Sequence, residues 1–259
     1  LGAPRAGTTY LFSALSQSPA VYVPPLKEPH FHLRDHWQLQ GPEREAFTKP
    51  LQQYHAGKKK SVWGGMETDE QAYRDFYAPG SGAKFRMEGT PNYFREADLI
   101  AQSIDGFVDE PVFAIAIVRN PVERIVSHYR LFRQLGWETL DFEAAIHAGP
   151  ERVAKGWAGT WDYVRYSEYA EPSARWAEVL GDRFRVVSYS DLSFSPRALL
   201  ADLSGWLGIA EGDELPLNTF NSAARFDGIT MQDAEEIISR TQRVDLEREH
   251  AMVAKASQT

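Results

Sequence analysis

Gly2-Ala3-Pro4-Arg5-Ala6-Gly7-Thr8-Thr9 opens the chain, with its second glycine followed directly by two threonines. The spacing is that of a phosphate-binding loop, GxxxxGK[ST]. In such a loop the glycines let backbone N–H groups approach a phosphate, and the helix N-terminus behind them favours the anion. Loops of this kind join a buried strand to a helix, so the stretch predicts an α/β fold. Thr8 stands where ATP- and GTP-binding loops carry a lysine that reaches the β- and γ-phosphates. Its absence points to an anionic ligand with no γ-phosphate to grip. Taken alone, the octet also reads as a Gly/Thr turn capping an ordinary helix. Only Leu1 precedes it, so the strand feeding the loop is expected to be truncated. Upstream residues, and any targeting signal or fused domain on them, would be missing with it.

Working outward, helical and strand patterns alternate. A helix is expected from Thr8 to Ser16, then an extended piece over residues 20–24 and the segment Leu26-Lys27-Glu28-Pro29-His30-Phe31-His32. Residues 42–82 are polar and read as short helices and mobile loops, and 83–88 as a strand leading into Gly89-Thr90-Pro91. Residues 112–118 form a continuous apolar run of the kind central parallel strands show. Asn120-Pro121 then supplies an N-cap and a first-turn proline. Val122, Ile125, Val126, Tyr129 and Phe132 follow at helical spacing and mark a buried face. Further on, 167–180 predicts a helix, 184–189 a strand and 197–207 a helix, and the Glu- and Arg-rich residues 229–259 predict a helical tail. No repeat or low-complexity linker breaks the chain, so residues 1–259 read as one domain.

Composition narrows the classes. A chain of 259 residues with 43% hydrophobic and 25% charged residues is an ordinary globular one, able to bury a substantial core. Its formal charge of −8 argues against general nucleic-acid or anionic-membrane binding, though not against a local basic pocket. The absence of cysteine removes disulfides, thiolate metal sites and cysteine nucleophiles, and suits a cytoplasmic location. No apolar run approaches the roughly 18 residues of a membrane span.

Two further segments carry chemistry. Arg119 ends the apolar run and Ser127 lies on the following helix. Arginine suits a bidentate hold on phosphate, and the adjacent helix N-terminus adds a favourable dipole. Singly, Arg119 is a strand-end charge and Ser127 an unremarkable helical residue. In Lys27-Glu28-Pro29-His30-Phe31 the proline biases Glu28 toward extended backbone. Residues two apart then face the same way, so Glu28 and His30 are expected to point into one cleft. His30 and His32 also read as an HxH metal pair, without a supporting ligand cluster in the sequence.

Together these segments resemble the PAPS-dependent sulfotransferase family, in its bacterial and carbohydrate O-sulfotransferase-like KEPHF form. PAPS is 3′-phosphoadenosine 5′-phosphosulfate. The opening octet is similar to the family's 5′-phosphosulfate loop, [RK]-x-G-T-[TR]. The resemblance implies that Arg5 contacts the bridging oxygen between phosphate and sulfate, and that Ala6, Gly7, Thr8 and Thr9 hold the 5′ side. It implies that Arg119 and Ser127 hold the 3′-phosphate. Glu28 takes the place of the family's usual base, with His30 assisting or orienting the acceptor; Lys27 serves the leaving group or is merely solvated.

Arg86-Met87-Glu88-Gly89-Thr90-Pro91-Asn92-Tyr93 resembles the family's E-K-[ST]-P-x-Y loop, which places Thr90, Pro91 and Tyr93 along the acceptor cleft. Gly89 replaces a lysine of several carbohydrate sulfotransferases, which argues against heparan-type acceptors. Tyr166 and Arg225 fall where the family contacts the nucleotide, and the resemblance extends over roughly residues 1–225.

The resemblance implies a three-layer α/β/α architecture around a mainly parallel sheet. It also implies PAPS as co-substrate, 3′-phosphoadenosine 5′-phosphate (PAP) as product and no metal. The acceptor would be a hydroxyl on a small molecule, carbohydrate, lipid or carrier-tethered chain. The alternatives are an ATP-using P-loop kinase or nucleotidase, and a non-catalytic nucleotide-binding module.

Overall fold

The computed structural model describes residues 1–37, 43–209 and 228–257. The helix behind the opening loop is α1 (Thr8–Leu15). Gly7 sets its start with a φ of 95°, and a Cβ there would meet Leu192 Cδ2 at 2.8 Å. Only glycine satisfies both conditions.

Next come β1 (Val21–Tyr22), β2 (Leu26–Glu28), α2 (Glu43–His55), β3 (Val62–Gly64), α3 (Glu70–Tyr77), β4 (Phe85–Arg86) and α4 (Ala97–Asp105). The stretch read as short helices and loops therefore holds two full helices and a strand. β3 owes its form to pairing with β2, Leu26 opposite Val62 and Glu28 opposite Gly64, which no local pattern announces. The strand expected over 83–88 narrows to β4, where it pairs with β1.

The second half runs β5 (Ala114–Val118), α5 (Pro121–Gln134), α6 (Phe142–Ala154), α7 (Ala170–Leu180), β6 (Phe184–Ser188), α8 (Tyr189–Phe194), α9 (Pro196–Leu207), α10 (Met231–Arg240) and α11 (Leu246–Ala256). Asn120 caps α5 by accepting from the Glu123 N–H at 3.1 Å, and the five apolar residues expected to face inward are all buried. α7 starts three residues later than expected. Arg165–Ser167 instead form a 3-10 turn, and Ser167 Oγ donates to the Pro121 carbonyl at 3.2 Å.

Among the described residues all strand pairings are parallel, as the α/β pattern predicts: β1 with β4, β2 with β3 and β5 with β6. Ala116 of β5 faces Val186 on one edge and Gly2 on the other. The Ala3 N–H donates to the Ile117 carbonyl at 2.7 Å, so the opening residues act as a strand stub feeding the loop. One core joins α1, α4, α7 and α9 to β5 and β6, around Leu11, Ile100, Trp176, Val187 and Leu203. A second gathers α5, α6 and α10 around Trp161 and Tyr163. The expected helical tail is present as α10 and α11. The Glu249 carboxylate of α11 accepts from the Tyr169 and Ala170 N–H groups at 2.6 and 3.0 Å, which fixes α11 against the start of α7. Among the described residues no helix is long and apolar enough to cross a membrane.

Candidate functional site

The fold brings the opening loop and the Arg119 segment together. The Arg5 Nε–H donates to Ser127 Oγ at 3.2 Å, and Arg119 Nη1 donates to the Arg5 carbonyl at 3.3 Å. Arg119 also pairs with Glu123 Oε2 through Nε and Nη2, each at 3.0 Å. Its guanidinium lies 4.4 Å from the centre of the Tyr189 ring. The N–H groups of Gly7, Thr8 and Thr9 have no partner among the described residues, which leaves the start of α1 able to receive an anion.

A third guanidinium lies beneath the loop. Arg124 is fully buried and donates to the Pro4 carbonyl at 3.4 Å, to His128 Nδ1 at 3.1 Å, to Ser167 Oγ and to the Tyr163 carbonyl. No carboxylate pairs with it among the described residues. Burial brings its pKa down to about 10, and it stays charged at neutral pH. Burial first, and the neighbouring Arg119 charge second, also hold Arg5 below the usual arginine range. His128 is kept neutral by burial and by Arg124, which suits it to accept from that guanidinium. Three arginines thus meet at one loop with a single carboxylate, Glu123, paired to them among the described residues. The imbalance favours a multiply charged anion.

Beside Arg119 opens a cavity of about 450 Å³, lined by Asn120, Tyr189 and Ser190 and, from α11, by His250 and Val253. That volume falls in the range of small-molecule sites.

Lys27 joins the second motif to the loop. Its Nζ donates to Glu28 Oε1 at 2.6 Å and to Thr9 Oγ1 at 3.4 Å, with Lys27 buried and the Glu28 side chain one-quarter exposed. Gly89 explains how Lys27 fits. A Cβ at position 89 would meet Phe12 Cδ2 at 2.7 Å and Lys27 Cε at 3.1 Å. The stem of Lys27 fills the space that a side chain at 89 would need.

His30 departs from expectation. β2 ends at Glu28, and His30 takes a left-handed φ of 48°, which breaks the two-residue alternation. The ring is buried between Trp37 and Phe47 and does not share the Glu28 cleft. Its Nδ1 lies 2.9 Å from both the Glu28 and Gly65 carbonyls, and Nε2 lies 3.2 Å from the Asn92 amide. His30 therefore fixes the backbone that carries Glu28. The HxH metal alternative finds no support in this geometry. His32 contacts Ser103 Oγ at 2.8 Å and the Tyr73 hydroxyl at 3.3 Å, so both imidazoles are engaged elsewhere.

Thr90, Pro91 and Tyr93, expected along a cleft, are all buried. Thr90 Oγ1 donates to Glu88 Oε1 at 2.6 Å, and the Tyr93 hydroxyl accepts from the His32 N–H at 3.2 Å. The Pro91 carbonyl lies where a Cβ on Gly2 would fall, so this loop braces the start of the phosphate loop. Tyr166 is buried against Gly159, and its hydroxyl has no hydrogen-bond partner among the described residues. Arg225 lies outside the described residues. Sequence reasoning passed over Arg124, Tyr189 and α11. Arg124 stood between Arg119 at the strand end and Ser127 on its own helix, with only its charge on a buried face as a signal.

Comparison with known proteins places the chain in a family. Residues 1–213 match the model of the "Sulfotransferase family". No curated protein matches the chain significantly. Among solved structures, a sulfotransferase from Alicyclobacillus acidocaldarius is 24% identical with a TM-score of 0.76, over 98% of this chain and 94% of that one. The sulfotransferase domain from the curacin biosynthetic pathway is 14% identical with a TM-score of 0.54, over 98% and 95% of the two chains. The corresponding domain of the Synechococcus PCC 7002 olefin synthase is 16% identical with a TM-score of 0.51, over 94% and 93%. At these identities the structural likenesses bear on the fold.

Proposed function

Because the chain belongs to the sulfotransferase family, we propose that it moves a sulfuryl group from PAPS to a hydroxyl, giving a sulfate ester and PAP. The observation that carries this reading is the convergence of Arg5, Arg119 and Arg124 at the opening loop, with Lys27 linking that loop to Glu28. Two phosphate-bearing ends need more positive charge than one carboxylate cancels. The cavity beside Arg119 and Tyr189 gives a nucleoside room.

When bound, the donor supplies an activated sulfuryl group whose S–O bond to the 5′-phosphate breaks in the reaction. Arg119 and Ser127 hold the 3′-phosphate. Arg5 and the first turn of α1 hold the 5′ side and favour the charge that develops there. Glu28 takes the acceptor's proton as the acceptor oxygen bonds to sulfur. Its Oε1 is held by Lys27, so Oε2 is the atom that faces the hydroxyl. Lys27, between Glu28 and Thr9, orients the base and adds positive charge next to the loop. His30 acts one step further back, as a positioning residue. The acceptor class is a hydroxyl on a small molecule, carbohydrate, lipid or carrier-tethered chain, and a cysteine-free chain suits a cytoplasmic setting.

Calorimetry with PAP and with ATP–Mg²⁺ separates this reading from an ATP-using kinase or nucleotidase. PAP is expected to bind and ATP–Mg²⁺ to bind weakly; tight ATP–Mg²⁺ binding with no PAP binding would overturn it. Glu28→Gln separates an enzyme from a silent binding module. It is expected to keep PAP affinity and to lose about a hundredfold or more in turnover, the usual scale of a general base. Wild-type turnover by this variant would remove Glu28 from the reaction.

A further inference from the structure

We propose that the acceptor is a hydroxylated ring bearing an anionic group, with the ring lying on Trp63 and the anion taken by Lys58, Lys59 and Lys60. This rests on the sulfotransfer reading of the Glu28 site and specifies its substrate class. Trp63 sits in the middle of β3, beside Lys27 on the paired strand β2, and is 67% exposed. An indole left so open on a regular strand forfeits most of the burial a tryptophan normally gains. No aromatic ring packs on it among the described residues. The Lys27 ammonium lies 5.9 Å from the ring centre, and that ammonium also touches Glu28 Oε1. A single charged group therefore separates the indole from the base. A flat ring laid on Trp63 would bring its own hydroxyl up to the carboxylate.

The lysines supply the second half of the argument. Lys58, Lys59 and Lys60 are all exposed, and none forms an ion pair among the described residues. In a chain of net charge −8 an uncompensated basic run is a local exception. Three residues of extended backbone place Lys60 at most roughly 10 Å from Trp63. The run leads directly into β3, whose Val62 N–H is held to the Pro25 carbonyl at 2.8 Å, so its position relative to the indole is fixed at one end. A neutral alcohol would leave these charges unused. Sugar and aromatic rings present the faces an indole stacks against, and carboxylate, phosphate or sulfate substituents would meet the lysines.

The test uses para-nitrophenyl β-glucuronide as a ring-bearing anion and para-nitrophenyl β-glucoside as its neutral counterpart. Each is titrated into the protein saturated with PAP. The glucuronide is expected to bind more tightly, with an affinity that falls as salt rises. Trp63→Ala should weaken both ligands about fivefold or more, and Trp63→Tyr should restore most of the loss. The joint replacement of Lys58, Lys59 and Lys60 by Ser should weaken only the glucuronide and remove its salt dependence. Equal affinity for the two ligands, no binding of either, or unchanged affinities in both variants would overturn the proposal. PAP titration of the wild type stands apart from these outcomes. If PAP fails to bind, the sulfotransfer reading of the site falls; if PAP binds and the variants behave like wild type, only the acceptor inference does.

Discussion

Replacing Glu123 by Gln is expected to tighten PAP binding, although the change removes an ion pair. Arg119 directs Nε and Nη2 at Glu123 Oε2, both at 3.0 Å, and Nη1 at the Arg5 carbonyl at 3.3 Å. A phosphate that takes this guanidinium must displace the carboxylate or share the fork with it. Arg119 at the end of the strand and Glu123 in the first turn of α5 form a partly exposed pair, with side chains 21% and 45% exposed, so its own contribution is only about 0.5 kcal/mol. The larger effect is repulsion. A carboxylate about 6 Å from each phosphate charge costs about 1 kcal/mol per charge at the high effective dielectric of a half-exposed site, less what salt screens. The two together come to about 1–2 kcal/mol, or about five- to thirtyfold in Kd. Calorimetry at low and at high salt reads this directly, and the gain should shrink as salt rises. Stability should fall slightly, because Glu123 sits in the first turn of α5, where negative charge favours the helix. Unchanged or weaker PAP binding by Glu123→Gln would show that the phosphate does not compete for Arg119, and the 3′-phosphate assignment would go with it.

Two more outcomes are expected. Arg119→Ala should weaken PAP by about ten- to a hundredfold, the range for losing charge-assisted hydrogen bonds, and should weaken AMP far less. Equal losses for both nucleotides by calorimetry would refute the assignment. Glu43 is buried, and desolvation raises its pKa to about 7 despite the hydrogen bond it accepts from Thr160 Oγ1 at 3.0 Å. The folded state thus holds a proton that the unfolded chain releases near its ordinary value of 4.5. The stability this proton confers is complete below about pH 4.5 and is lost as pH rises to about 7, up to about 3 kcal/mol in all. Glu43→Gln should match the wild type near pH 4.5 and exceed it at pH 8 in urea unfolding. A difference that does not change with pH would refute the reasoning.

Much of this arrangement was legible in the residues, for reasons that are local. The phosphate loop follows from a glycine that must take positive φ before a helix, and α5 from an Asn-Pro cap with a helical apolar period behind it. β5 follows from an uninterrupted apolar run. β3 was not legible, because three residues in a polar stretch become a strand only when β2 lies alongside. The departure of His30 has a related cause. Proline does favour extended backbone before it, but the ring gains more from two carbonyls, Asn92 and an aromatic pocket than continued alternation would offer. Arg124 was hidden by its company, since a charge on a buried face is usually a sign that the face has been misread.

By itself the sequence determined the α/β class, the phosphate-loop spacing without its lysine, and the α5 helix with its Asn-Pro start. These depend on φ preferences, caps and periods, which a residue carries with it wherever it goes. Tertiary structure alone decided that Arg5 meets Ser127 across 122 positions and that Arg124 donates to the Pro4 carbonyl. It also decided that Lys27 spans Glu28 and Thr9 while Trp63 lies open beside it. Those contacts exist because parallel pairing brings distant segments side by side, and no local preference encodes which strand will be the neighbour.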